Sequence, residues 1–107
     1  MKLTETTDAS AWDTLVLASD DPHPLQLWGW GELKRQNGWQ PYRLLEGDRA
    51  LAQMLIWSVP QLGWKLAYIP RGPLRGGEKK RVDGAVLQTL RDFAADQGAF
   101  CLQIEPG

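Results

Sequence analysis

The chain has one cysteine and one histidine among its 107 residues. An internal disulfide is therefore excluded, which suits a reducing compartment. Cys101 lies in the apolar run Ala99-Phe100-Cys101-Leu102, where a buried, inert thiol is expected. His23 stands between Pro22 and Pro24 with no Cys or second His near it. The common zinc ligand sets and a Ser-His-Asp arrangement are thus missing, and neither a metal nor a cofactor is expected. There is no apolar run of about 18 residues, the minimum for a membrane span. The first residues, Met1-Lys2-Leu3-Thr4-Glu5, lack the apolar centre of a signal peptide. The expectation is a cytoplasmic protein with no stable membrane insertion. Charge of one sign is also lacking: 12 basic residues face 13 acidic ones, for a net charge of -1. Bulk attraction to nucleic acid or membrane is excluded, so recognition of an anion has to be local.

What the chain has instead is tryptophan, six in all, within an apolar share of 43% that fits a folded domain. The length predicts one domain with a modest core. Two of the tryptophans fall in Gln26-Leu27-Trp28-Gly29-Trp30-Gly31-Glu32-Leu33-Lys34. Positions two apart on a helix point to different faces, so Trp28 and Trp30 cannot share one apolar stripe. One is expected in the core and the other, Trp30, at a cleft. A glycine beside each also lets another group approach closely.

The pattern predicts a short strand over residues 2–5 and a helix over 11–17, capped by Asp8 or Ser10. Two prolines make 20–24 a loop. A second helix spans 27–36 and stops at Asn37-Gly38. Strands follow at 39–45, 50–59 and 64–69, the first two joined by a hairpin turn at 46–49. Residues 75–81 form a polar loop, 82–97 a helix closed by Gly98, and 99–104 a last apolar strand. The order β-α-α-β-β-β-α-β predicts an α/β fold: a mixed sheet of about five strands with helices packed on it, its last strand parallel to the one before. The apolar last strand lies at an edge and invites pairing, including a homo-oligomer formed through it.

Four residues are candidates for a binding site. Lys34 is four residues after Trp30 and shares its helical face. Tyr68 and Arg71, in Tyr68-Ile69-Pro70-Arg71-Gly72-Pro73, stand where a strand enters a rigid loop, the place where α/β folds gather ligands. Tyr68 offers a hydroxyl and Arg71 a bidentate fork for phosphate or carboxylate. The plainer alternatives are a solvated helix lysine and a stiff turn with a surface arginine. Trp39, Trp57 and Trp64 read as strand packing. Gly76-Gly77 before Lys79-Lys80-Arg81 lacks the spacing of a phosphate loop.

Three segments, QLWGWGELKRQNGWQPYRL (26–44), LAYIPRGPL (66–74) and AFCLQIEP (99–106), in this order and spacing, resemble the N-terminal part of the FemABX family of peptidoglycan-bridge aminoacyltransferases. The resemblance implies the first part of a GNAT-like (acyl-CoA N-acyltransferase-like) fold. It also implies transfer of an amino acid from aminoacyl-tRNA to an amine of a peptidoglycan precursor, in the UDP-MurNAc-pentapeptide or the lipid-linked form. Lys34 resembles the family's precursor-phosphate lysine. Family members are much longer, so residues 1–107 are expected to form a single, incomplete GNAT-like subdomain that does not catalyse alone. An acidic residue common in the family soon after Tyr-x-Pro-Arg-Gly-Pro has no counterpart before Glu78, and no catalytic residue is assigned. Two other readings stay open: a GNAT-type N-acyltransferase using acyl-CoA, for which Pro70 and Pro73 make a poor pyrophosphate loop, and a non-enzymatic binding or assembly module.

Overall fold

A computed structural model describes residues 3–19, 22–70 and 84–105. Its elements are β1 (Leu3–Glu5), α1 (Ala9–Leu17), a 3₁₀ turn (Pro24–Gln26), α2 (Trp28–Arg35), β2 (Trp39–Glu46), β3 (Arg49–Ser58), β4 (Lys65–Pro70), α3 (Gly84–Asp96) and β5 (Ala99–Glu105). The sheet runs β1-β2-β3-β4-β5. Its first four strands are antiparallel neighbours, and β5 lies parallel to β4. The α/β class, the five-stranded mixed sheet and the element order are those expected from the sequence.

Local chemistry explains the differences in detail. Asp8 caps α1, its Oδ1 accepting from the Ala11 amide at 3.0 Å, so the helix starts at Ala9. Pro24 does not simply block helix: it opens the 3₁₀ turn, where its missing N–H leaves no bond unmade. The β2–β3 loop has two residues, with Gly47 at φ +60° and Glu46 and Arg49 paired at 3.0 Å across its base. Between Leu44 and Leu45 the ladder slips by one residue against β3. Trp64 lies just before β4 and is exposed, against Phe100 at 5.8 Å, rather than packed within a strand pair.

Each sheet face has its own core. On one, Leu44, Ala52, Met54, Ile56, Ala67 and Ile69 meet Val86, Leu90 and Ala94, which recur every four residues along α3. On the other, Trp12 and Val16 of α1 bury against Ala50, with Trp28 and Leu45 alongside. Cys101 corrects the expectation of a buried thiol: it is exposed. The strand alternation sends Leu102 and Ile104 to the α3 core and Cys101 to the opposite face.

Candidate functional site

Helix α2 lies over β2 and β3, and a polar seam is buried beneath it. Gln26, Arg43 and Gln53 are the buried polar residues among those described. Arg43 is 3% exposed, and a buried cation needs partners. Its Nε donates to Gln53 Oε1 at 2.8 Å, and its Nη2 to Trp28 O and Glu32 Oε2, both at 2.9 Å. Its guanidinium also stacks 3.5 Å from the Trp28 ring centroid, a favourable placement over the ring's negative face. The Arg43 guanidinium beside Glu32 holds that carboxyl below its ordinary range, with Arg35 adding to the effect against some desolvation. Burial pushes Arg43 itself down, opposed by Glu32.

Gly31 makes this seam possible. A Cβ there would lie 2.3 Å from Gln53 Oε1 and 2.6 Å from Arg43 Nη2. Gly29, its counterpart after Trp28, has nothing within 4 Å. The close approach that a glycine permits is therefore used once, and the approaching group is the protein's own polar core.

Trp28 and Trp30 diverge as their spacing requires. Trp28 packs on the α1 core. Lys34 Nζ sits 5.0 Å from the Trp30 ring centroid, one helical turn on. Trp30 Nε1 is the buried side-chain polar atom without a hydrogen-bond partner among the described residues. That N–H is sealed from solvent, so the side of Trp30 open to a ligand is its ring and not its donor. Lysine and indole thus form one edge of α2, offering a cation beside an aromatic ring.

Tyr68 belongs to a different element. It lies on β4, with its ring 6.3 Å from Trp39, which is in turn 6.2 Å from Trp57. Its hydroxyl hydrogen-bonds the Glu105 carboxylate at the carboxyl end of β5. Arg71 lies outside the described residues, as does the glycine-lysine stretch 76–81. A cleft of about 230 Å³ opens beside Thr6, Trp28, Arg35, Tyr42 and Arg43 and takes in none of the four predicted residues. The sequence signal for the seam was present in Gly31, but Gln26, Arg43 and Gln53 are far apart in the chain and carry no motif. Among the described residues no group of three His, Cys, Asp or Glu could hold a metal ion, and no helix is long and apolar enough to cross a membrane.

The FemAB family model matches residues 8–107. Lipid II:glycine glycyltransferase of Staphylococcus aureus (strain MRSA252) is 31% identical over 98 residues, which cover 88% of this chain and 23% of that protein. The Staphylococcus epidermidis (strain RP62A) protein of the same name is 28% identical, with 88% and 24% covered. The chain thus spans about a quarter of the length of these relatives. The crystal structure of FemX superposes with a TM-score of 0.77 at 28% identity, over 99% of this chain and 27% of that one. Ribosomal-protein-alanine N-acetyltransferase from Brucella melitensis biovar Abortus 2308 superposes with a TM-score of 0.57 at 11% identity, over 99% and 79%. That second likeness concerns the fold alone.

Proposed function

The chain belongs to the FemAB family, and from that membership we propose that it is the precursor-binding, GNAT-like N-terminal part of an aminoacyltransferase acting on a peptidoglycan precursor. The match over residues 8–107 carries this reading, together with relatives whose names specify glycyl transfer to lipid II. The geometry of α2 supports it. A nucleotide or lipid diphosphate needs a cation, and Lys34 stands beside the Trp30 ring, which can stack on a sugar, base or peptide. Tyr68 and Arg71 would meet the ligand at the carboxyl end of β4.

In the proposed reaction the precursor amine attacks the carbonyl carbon of an aminoacyl-tRNA ester. The new C–N bond forms, the ester C–O bond breaks, and the ribose oxygen leaves with the proton lost by nitrogen. Within this scheme residues 1–107 bind and orient the precursor, and turnover by these residues alone is not expected. Calorimetric titration tests the assignment. UDP-MurNAc-pentapeptide is expected to bind the folded chain saturably, while acetyl-CoA does not. Binding of acetyl-CoA alone would instead favour an acyl-CoA N-acyltransferase.

A further inference from the structure

Gln26 ties three elements, α1, β3 and β4, to the turn that precedes α2. It closes the 3₁₀ turn two residues before α2 and is fully buried. Its Nε2 donates to the carbonyl of Pro70, the last residue of β4. Its Oε1 accepts from the Gln53 amide of β3 at 2.7 Å, and its own carbonyl accepts from Trp12 Nε1 of α1 at 2.7 Å. A carbonyl can only accept and a backbone amide only donate, so a side-chain amide in this one orientation serves both partners. Gln53 in turn grips the backbone on either side, its Nε2 donating to Leu25 O at 3.2 Å and Leu27 O at 3.0 Å. Through Gln53 Oε1 the chain of bonds continues to Arg43, and from there to Trp28 O and Glu32 on α2. A fully satisfied buried network of this kind selects one arrangement of the elements it joins.

We propose that Gln26 is a positioning residue for ligand recognition: its amide sets the Trp30–Lys34 edge of α2 against the carboxyl end of β4. The proposal rests on the functional reading above, in which that edge holds the anionic part of the ligand. Core packing alone does not require an amide at this position, since an apolar side chain of equal volume would fill it. The amide is needed to hold Pro70 and Gln53 at once.

Gln26→Glu separates the two bonds. A carboxylate still accepts from the Gln53 amide but turns a second acceptor toward the Pro70 carbonyl. A protonated carboxyl restores the donor. Burial raises the pKa of such a group, so the variant is expected to match wild type in mild acid and to lose its tether as pH rises. The charged groups near this position are Arg43 of β2, Glu32 of α2, Asp13 of α1, which accepts from the Trp28 amide, and His23 on the same turn. All are common to both chains, so wild type measured at the same pH values removes their contribution.

The test measures affinity for UDP-MurNAc-pentapeptide by tryptophan fluorescence at pH 5.5 and pH 8 for wild type, Gln26→Glu, Lys34→Ala and the double variant, with near-ultraviolet circular dichroism as the check on folding. Expected is wild-type affinity for Gln26→Glu at the lower pH and about tenfold weaker binding at the higher one. At pH 8 the two single losses should not multiply, because a displaced lysine has less to lose. Wild-type binding by folded Gln26→Glu at both pH values, or losses that multiply, would overturn the proposal. Should Gln26→Glu unfold at pH 8, Gln26→Met removes both polar groups without a charge. It is expected to weaken binding at both pH values with the same non-additivity toward Lys34→Ala, and wild-type affinity there would equally overturn the proposal. If Lys34→Ala alone leaves wild-type affinity unchanged, the functional reading fails and takes this proposal with it. That outcome is recognisable from the single variant.

Discussion

Two glycines of α2, Gly29 and Gly31, meet opposite fates, and the reason is what lies behind each. Gly31→Ala would drive a methyl group into Gln53 and Arg43, both buried. Overpacking of this kind costs about 1–3 kcal/mol, and the loss should appear as a lower urea midpoint. Gly29→Ala meets open space and replaces a poor helix former, so a gain of about 0.5–1 kcal/mol is expected in the same measurement. A second residue-scale prediction concerns Glu32. Its folded carboxyl is held below its ordinary value by Arg43, so it contributes stability above the unfolded value, and this is lost as pH falls through the folded one. Urea midpoints at pH 7 and pH 3 should therefore differ more in wild type than in Glu32→Gln. At this scale the sequence was partly legible. Spacing separated Trp28 from Trp30 and placed Lys34 beside Trp30, because helical geometry is local. It could not tell which glycine was needed, because the atoms that press on Gly31 come from β2 and β3.

At the scale of elements, the helices and strands were legible because each carries a periodic apolar pattern and a local stop signal. The run Val86, Leu90, Ala94 buries one stripe of α3, and Gly38 and Gly98 take positive φ where α2 and α3 end. The seam beneath α2 was not legible. Gln26, Arg43 and Gln53 look like surface residues in a sequence, and only the fold shows that each is buried with partners. Removing Arg43 is the direct check. Arg43→Met would leave Gln53 Oε1 and Trp28 O without this donor, while Glu32, partly exposed, turns to water. The expected loss is about 1–3 kcal/mol, read as a shift in thermal midpoint.

At the scale of the whole molecule, the two sheet faces differ. The face toward α3 is closed over β4 and β5, with Leu102 and Ile104 packed on its core. The opposite face is covered by α1 and α2 over β2 and β3, while Cys101, Gln103 and Glu105 of β5 are exposed. The exposed thiol was misjudged from an apolar neighbourhood in sequence, because the two faces of one strand have different cover. Phe100 and Trp64 are exposed beside each other at the start of β5, and β5 is an edge of the described sheet. If this edge joins copies of the chain, sedimentation velocity should show a concentration-dependent dimer that Phe100→Lys weakens. The family membership and the proposed activity rest on the whole span, 8–107, and the proposed precursor site is a smaller part of it, the α2 edge and the end of β4. The most direct test of that claim is a tryptophan-fluorescence titration of the chain with UDP-MurNAc-pentapeptide, beside a Lys34→Ala, Arg71→Ala double variant. Saturable quenching that the folded double variant loses is the predicted result. Equal quenching in both chains, or none in a well-folded wild type, would contradict the assignment of the precursor site to these residues.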